Sequence, residues 1–228
     1  MPSETDARVH GPNVPAHEKE TLRAEAFSDG VFAIAITLLV LDLKVPKPAD
    51  LHGATLARKL AEEWPALLAY FTSFVTILVM WVNHHVMFGR IRRSDNLFLF
   101  LNGFLLLLVT FVPFPTSLAA TYIRDAGLKP GDARTAGLVY AGTYVVIAIA
   151  FNLLWHYAAR GRRLVDPHLP EARIREISWQ YAPGIPAYLA AGALAFYSVW
   201  ATVGLCLLLA VFFAFTGTVP DRFWKKVA

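Results

Sequence analysis

The stretch Arg23-Ala-Glu-Ala-Phe27-Ser28-Asp29-Gly-Val-Phe-Ala-Ile34-Ala-Ile-Thr37-Leu38-Leu-Val-Leu41 passes from a charged segment into an uncharged one. Its polar start supports two readings. Either Ser28 or Asp29 caps a helix beginning there, where free N–H groups favour an anion. Or the helix begins earlier, because Arg23-Ala-Glu-Ala is good helix-forming sequence, and Asp29 lies inside it, needing a cation or a donor from another helix. The apolar run opened by this stretch covers residues 26–43, with Asp29 near one end and Asp42 near the other. Upstream, Glu4, Asp6, Glu18 and Glu20 mix with Arg8, Lys19 and Arg23, which is not the basic leader of a signal peptide. The run is expected to be a retained first transmembrane helix.

The rest of the chain has the same character. Of 228 residues, 56% are hydrophobic and 17% charged, against about 25% charged in an average soluble domain. Mean hydropathy is +0.47. Leaving histidine aside, uncharged runs cover residues 64–89, 96–123, 135–159 and 177–220. A bilayer span needs about 20 mostly apolar residues, so every run qualifies. A soluble enzyme, a disordered chain and a nucleic-acid-binding protein are all excluded. The predicted class is an all-α, polytopic membrane protein. The net charge of +4 comes from basic residues flanking apolar runs, as topology signals do. Cys206 is the single cysteine and lies in an apolar run, so it forms no intrachain disulfide and serves as packing or lipid-facing bulk.

The last run has 44 residues. As one helix it would reach about 66 Å, against about 30 Å of hydrocarbon, so it must fold back, with the turn expected near residues 197–200. Pro183, Gly184 and Pro186 mark irregularity at its entry. Six transmembrane helices follow, at about 26–43, 65–88, 96–122, 136–159, 179–196 and 200–217. They form one transmembrane domain over 26–217 between tails 1–25 and 218–228. Residues 51–63 are either an interfacial helix or the wet beginning of the second span. Lys and Arg number 14 on the side of the two termini and seven on the other, a bias that places both termini in the cytoplasm.

Ionisable groups inside a membrane are costly and need partners. For Asp29 the second span supplies Trp81, Asn83, His84 and His85 as candidate inter-helix partners, with one of the histidines expected to meet it. Adjacent histidines point about 100° apart on a helix, so they do not readily share a metal ion, and no metal site or cofactor is expected. Thr202-Val203-Gly204 matches the start of a carbonyl selectivity filter, but Leu205-Cys206 follows it, so no such filter is read here.

On the first helix, Phe27, Gly30, Ile34, Thr37, Leu38 and Leu41 recur at spacings of three and four and share one face. The string Arg23-x-x-x-Phe27-Ser28-Asp29, with the apolar sequence through Thr37, closely resembles the signature of the transmembrane protein 175 family of potassium channels. That family comprises the lysosomal potassium channel and its prokaryotic relatives. The segments Trp81…His84-His85 and Asn96-Leu-Phe-Leu…Pro113-Phe114-Pro115-Thr116 are also similar to it. The resemblance covers about the first 120 residues.

It implies a channel without a carbonyl filter, in which first helices surround a central pore. Ile34 matches the family's constricting residue, and Thr37 matches a hydroxyl layer tied to preference for potassium over sodium. Leu38 and Leu41 match further apolar rings, while Arg23, Phe27, Ser28 and Asp29 are implied to hold the first helices in place. The chain has one Phe-Ser-Asp string and so one pore helix. One helix cannot enclose a pore, so a closed homo-oligomer is required, and the family makes it a homotetramer. The expectation is a potassium channel, not an enzyme, in a prokaryotic plasma membrane, with potassium as the permeant ion. Its only partners would be copies of itself and membrane lipid. The alternative is an ion- or proton-coupled secondary transporter using Asp29, Asp42 and the histidines.

Overall fold

A computed structural model describes residues 16–124 and 130–217. The tail at 218–228 and most of the tail at 1–25 lie outside the described residues. Every regular element is a helix: α1 (Ala16–Leu38), α2 (Leu56–Glu62), α3 (Trp64–Phe88), α4 (Asn96–Phe111), α5 (Pro113–Arg124), α6 (Pro130–Ala159), α7 (Glu171–Tyr181), α8 (Gly184–Leu194) and α9 (Val199–Gly217). A 3₁₀ turn, Leu39–Asp42, extends α1.

Four stretches are long and apolar enough to cross a bilayer: Glu18–Leu41, Trp64–Phe88, Asn96–Tyr122 and Gly131–Arg162. They correspond to the first four expected spans. α1 starts at Ala16, well before residue 26, so the second reading of Asp29 is the right one: it sits inside the helix. The third span bends where α4 gives way to α5. Pro113 has no N–H to continue the ladder, and the Val112 N–H turns back to the Val109 carbonyl in a tight step. Residues 56–62 form a short separate helix, capped by the Thr55 hydroxyl accepting from the Arg58 N–H, with no buried side chain.

The expected fifth span, one helix over 179–196, is not formed. α7 ends at Tyr181 and α8 runs only from Gly184 to Leu194, a rise of about 16 Å. Pro183 breaks the segment at the irregularity that Pro183, Gly184 and Pro186 mark in the sequence, so residues 179–181 belong to the largely polar α7. The chain reverses through Ala195–Ser198, two residues before the turn expected from length.

α6 forms the centre of the bundle, with α4, α5, α7, α8 and α9 packed around it. Tyr140, Tyr144, Leu154 and Trp155 are fully buried along it. Gly137 lets the α8–α9 turn approach closely, because a Cβ there would lie 2.9 Å from Ala195 Cβ. α1 sits at the edge, packed on α3 and α4.

Below the membrane-spanning part, the α3–α4 and α6–α7 connections pair as a two-residue bridge, Ile91 with Val165. Arg92 joins this collar to α1, reaching Glu18 at 3.0 Å and Asp166 at 3.1 Å. The backbone N–H of His168 and then the Arg92 guanidinium hold the Asp166 carboxyl below its ordinary pKa. Asp95 caps α4 by accepting from the Phe98 N–H and also takes bonds from Tyr157 and Arg163. Burial pushes its carboxyl up, but those donors outweigh burial and leave it below its usual pKa.

Candidate functional site

The two sides of α1 differ sharply. Ser28, Phe32, Ala35 and Leu39 are buried against α3 and α4. Phe27, Gly30, Ala33, Ile34, Thr37, Leu38 and Leu41 are exposed. Ile34 shows 57% of its surface and Leu41 75%. At 100° per residue these exposed positions fall within one half of the helix. The expected stripe is thus the side that a single chain leaves uncovered. Lipid is as apolar as leucine, so packing of small residues and polar contacts, rather than water exclusion, must fix how this helix sits.

Those polar contacts form one connected lock. The Ser28 hydroxyl donates to the Ala24 carbonyl at 2.8 Å, so its oxygen is left to accept from Asn102 Nδ2 at 2.9 Å. That fixes the Asn102 amide, whose Oδ1 faces His84 Nε2 at 2.9 Å. An acceptor there requires the proton to be on Nε2. His84 Nδ1 is then bare, and it is buried without a hydrogen-bond partner. The ring is held between Phe32 and Phe88, with centroids at 5.3 and 4.3 Å.

Asp29 bonds Trp81, not a histidine: the indole N–H donates to Oδ1 at 2.8 Å. His85 pairs with Glu25 at 2.9 Å, one turn along α1. The two histidines are engaged in different directions, as their 100° separation requires. Asn83 donates to the Val79 carbonyl of its own helix and makes no contact with Asp29. Glu25 and Asn102 were not anticipated. Asn102 carried a signal, being the lone hydrogen-bonding side chain between Leu97 and Val109. Glu25 entered the sequence reading only as part of the helix-forming string Arg23-Ala-Glu-Ala.

The four-residue motif divides by direction. Ser28 and Asp29 tie α1 to its own neighbours. Arg23 and Phe27 are exposed and line an open groove between α1 and α4, of about 480 Å³, with Leu99, Asn102 and Leu106. The Thr37 hydroxyl donates to the carbonyls of Ala33 and Ile34, at 3.0 and 2.9 Å. A hydroxyl has one proton and two lone pairs, so the Thr37 oxygen keeps accepting capacity on the exposed side of the helix. Thr202-Val203-Gly204 lies within α9 as ordinary helix.

This defines a multi-pass helical membrane protein whose first helix is locked on one side and bare on the other. The family model for the endosomal/lysosomal potassium channel TMEM175 matches residues 23–113. A potassium channel of Chamaesiphon minutus is 51% identical over 197 residues, 86% of this chain and 95% of that protein. A potassium channel of Streptomyces collinus is 42% identical over 204 residues, 89% of this chain and 96% of that one. The crystal structure of a lysosomal potassium-selective channel TMEM175 homolog from Chamaesiphon minutus matches with a TM-score of 0.79 and 49% identity. It covers 88% of this chain and 100% of that chain. The chain belongs to the TMEM175 family, a family of ion channels, and is not an enzyme.

Proposed function

We propose that four copies of this chain surround a central pore that passes potassium in preference to sodium. In this reading α1 is innermost, and the ends of α7 with α8, and α9, complete six crossings with both termini in the cytoplasm of a prokaryotic cell. The observation that carries it is the bare half of α1, where Ile34, Thr37, Leu38 and Leu41 line up on the side the chain's own helices do not cover. The relatives' names as potassium channels support it, and favour a channel over a coupled transporter.

A ring of Ile34 side chains makes a dry constriction that stops ions by dewetting, with Leu38 and Leu41 as further apolar rings. Such rings do not distinguish cations. The Thr37 oxygens, one turn away, offer lone pairs to a partly dehydrated potassium ion, so no carbonyl filter is needed. The Ser28–Asn102–His84 and Asp29–Trp81 contacts set the rotation of α1, and Arg23 and Phe27 meet the neighbouring copy across the α1–α4 groove.

The test is potassium flux from liposomes containing the purified protein, beside an Ile34→Ala variant. Flux in the wild type that increases in the variant is the expected result. Absence of flux from both, with the tetramer shown intact, overturns the reading, as does flux that saturates without unitary currents.

A further inference from the structure

We propose that the outer side of the α6–α7 pair is a binding site for the phosphate headgroup of an anionic phospholipid. Two hydrogen bonds fix how these helices run. Asn152 Nδ2 donates to the Tyr181 carbonyl at 3.1 Å, and Trp155 Nε1 donates to the Ser178 hydroxyl at 2.9 Å. Rising numbers on α6 therefore meet falling numbers on α7, and the pair is antiparallel. In an antiparallel pair of right-handed helices, the residue after each contact position turns to the same side. His156 and Trp179 thus share a side. Arg160 and Arg175, each one turn from them towards the collar, lie at nearly equal depth, because continuing the register sets Arg175 opposite residues 158–159. All four side chains are exposed.

Three observations point to a lipid headgroup. First, the other arginines in and beside the α6–α7 connection are committed: Arg163 to Asp95, Arg173 to Glu176, and Arg162 to the Pro167 and Leu169 carbonyls. Arg160 and Arg175 have no hydrogen-bond or ion-pair partner among the described residues. Second, Trp179 is 77% exposed one turn nearer the apolar part of α6 than Arg175. An indole at that level, on the hydrocarbon side of a pair of guanidinium groups, matches the layering of a membrane interface. Third, His156 Nδ1–H donates to the Asn152 carbonyl, so its exposed Nε2 has no partner among the described residues and gives a proton to a phosphate only from the doubly protonated ring. The carboxylate on this stripe, Glu171, is a turn further from the hydrocarbon than Arg175. α7 packs on α6, whereas α1 packs on α3 and α4, and in this proposal the exposed side of the α6–α7 pair faces lipid. Two arginines at fixed depth can hold one phosphate from both sides, with Trp179 against the glycerol region.

The test uses the full-length protein purified in mild detergent, with retained phosphatidylglycerol and phosphatidylcholine counted by native mass spectrometry. Phosphatidylglycerol is expected to be preferred, and Arg160→Gln with Arg175→Gln should reduce its retention about tenfold, at roughly threefold or more per arginine. Phosphatidylcholine should be unaffected. Arg93→Gln, elsewhere on the collar, should change neither. Quenching of indole fluorescence by brominated phosphatidylglycerol should fall in Trp179→Phe. With the unaltered protein, salt at about 1 M should abolish the preference, since the Debye length is then about 3 Å. Any of four results overturns the proposal: equal retention of the two lipids, retention unchanged in the double variant, an equal loss in Arg93→Gln, or a changed oligomeric mass in the double variant, which would make this side a contact between copies.

Discussion

Trp81 donates its indole N–H to the Asp29 carboxylate at 2.8 Å and so ties the last third of α3 to the first helix across 52 positions of sequence. Asp29 is half-buried, and a carboxylate at that depth without a donor is expensive. Trp81→Phe keeps an aromatic ring and removes only the donor, so it should cost about 1–3 kcal/mol, seen as a lower melting temperature in detergent. Asp29→Asn retains an oxygen that accepts from the indole and should cost less. The double variant should fall short of the sum of the single losses by about 1 kcal/mol. Strict additivity would mean that the two side chains touch without supporting each other.

Gly137 has a different task, which is to let two helices come close. The space beside it is small: a Cβ placed on it meets Ala195 Cβ at 2.9 Å and Val199 Cγ2 at 3.5 Å. Ala195 is held in the α8–α9 turn by its N–H bond to the Gly192 carbonyl, so it cannot simply withdraw. Gly137→Ala should destabilise by about 1–3 kcal/mol through overpacking, reduced by up to about 1 kcal/mol from better helix propensity. Gly142→Ala on the same helix meets nothing within 4 Å and should be neutral or slightly stabilising. Thermal melting of the two variants side by side checks this, and equal shifts would remove the close approach as the reason for glycine at 137.

The contrast between these two sites shows what a sequence of this kind reveals. The long helices were legible because charge-free runs of bilayer length have few alternative explanations. That the α1 stripe shares one face was legible from its helical spacing, but spacing does not tell a bare face from a packed one. The α7–α8 break was legible only in part: Pro183, Gly184 and Pro186 marked irregularity there, but the uncharged run from 177 to 220 did not show that they end one helix and start another. Among the polar groups, sequence named Trp81 and the histidines but not who meets whom. One of the two histidines was expected to meet Asp29, yet rotation along α3 turns His84 towards Asn102 on α4 and leaves Trp81 facing Asp29 on α1. Such pairing depends on helix rotation and depth, which a periodicity pattern does not encode.

Thr37 is where the proposed pore can be tested most sharply, because its hydroxyl has two separable roles. Its proton satisfies the Ala33 and Ile34 carbonyls, while its lone pairs face the bare side of α1. Thr37→Val keeps the shape and removes both roles, Thr37→Ala removes bulk as well, and Thr37→Ser keeps the hydroxyl. If Thr37 oxygens take the place of some of an ion's water, Val and Ala should lower the potassium-to-sodium permeability ratio. The loss should be up to about tenfold, which is about 1.4 kcal/mol of differential binding. Ser should stay near wild type. Potassium conductance itself should persist in all three, because in the proposed pore Ile34 and not Thr37 forms the constriction. Reversal potentials under bi-ionic conditions give the ratio directly. A wild-type ratio in both Val and Ala would move selectivity away from α1's hydroxyl and leave Ile34 as a gate without a filter beside it.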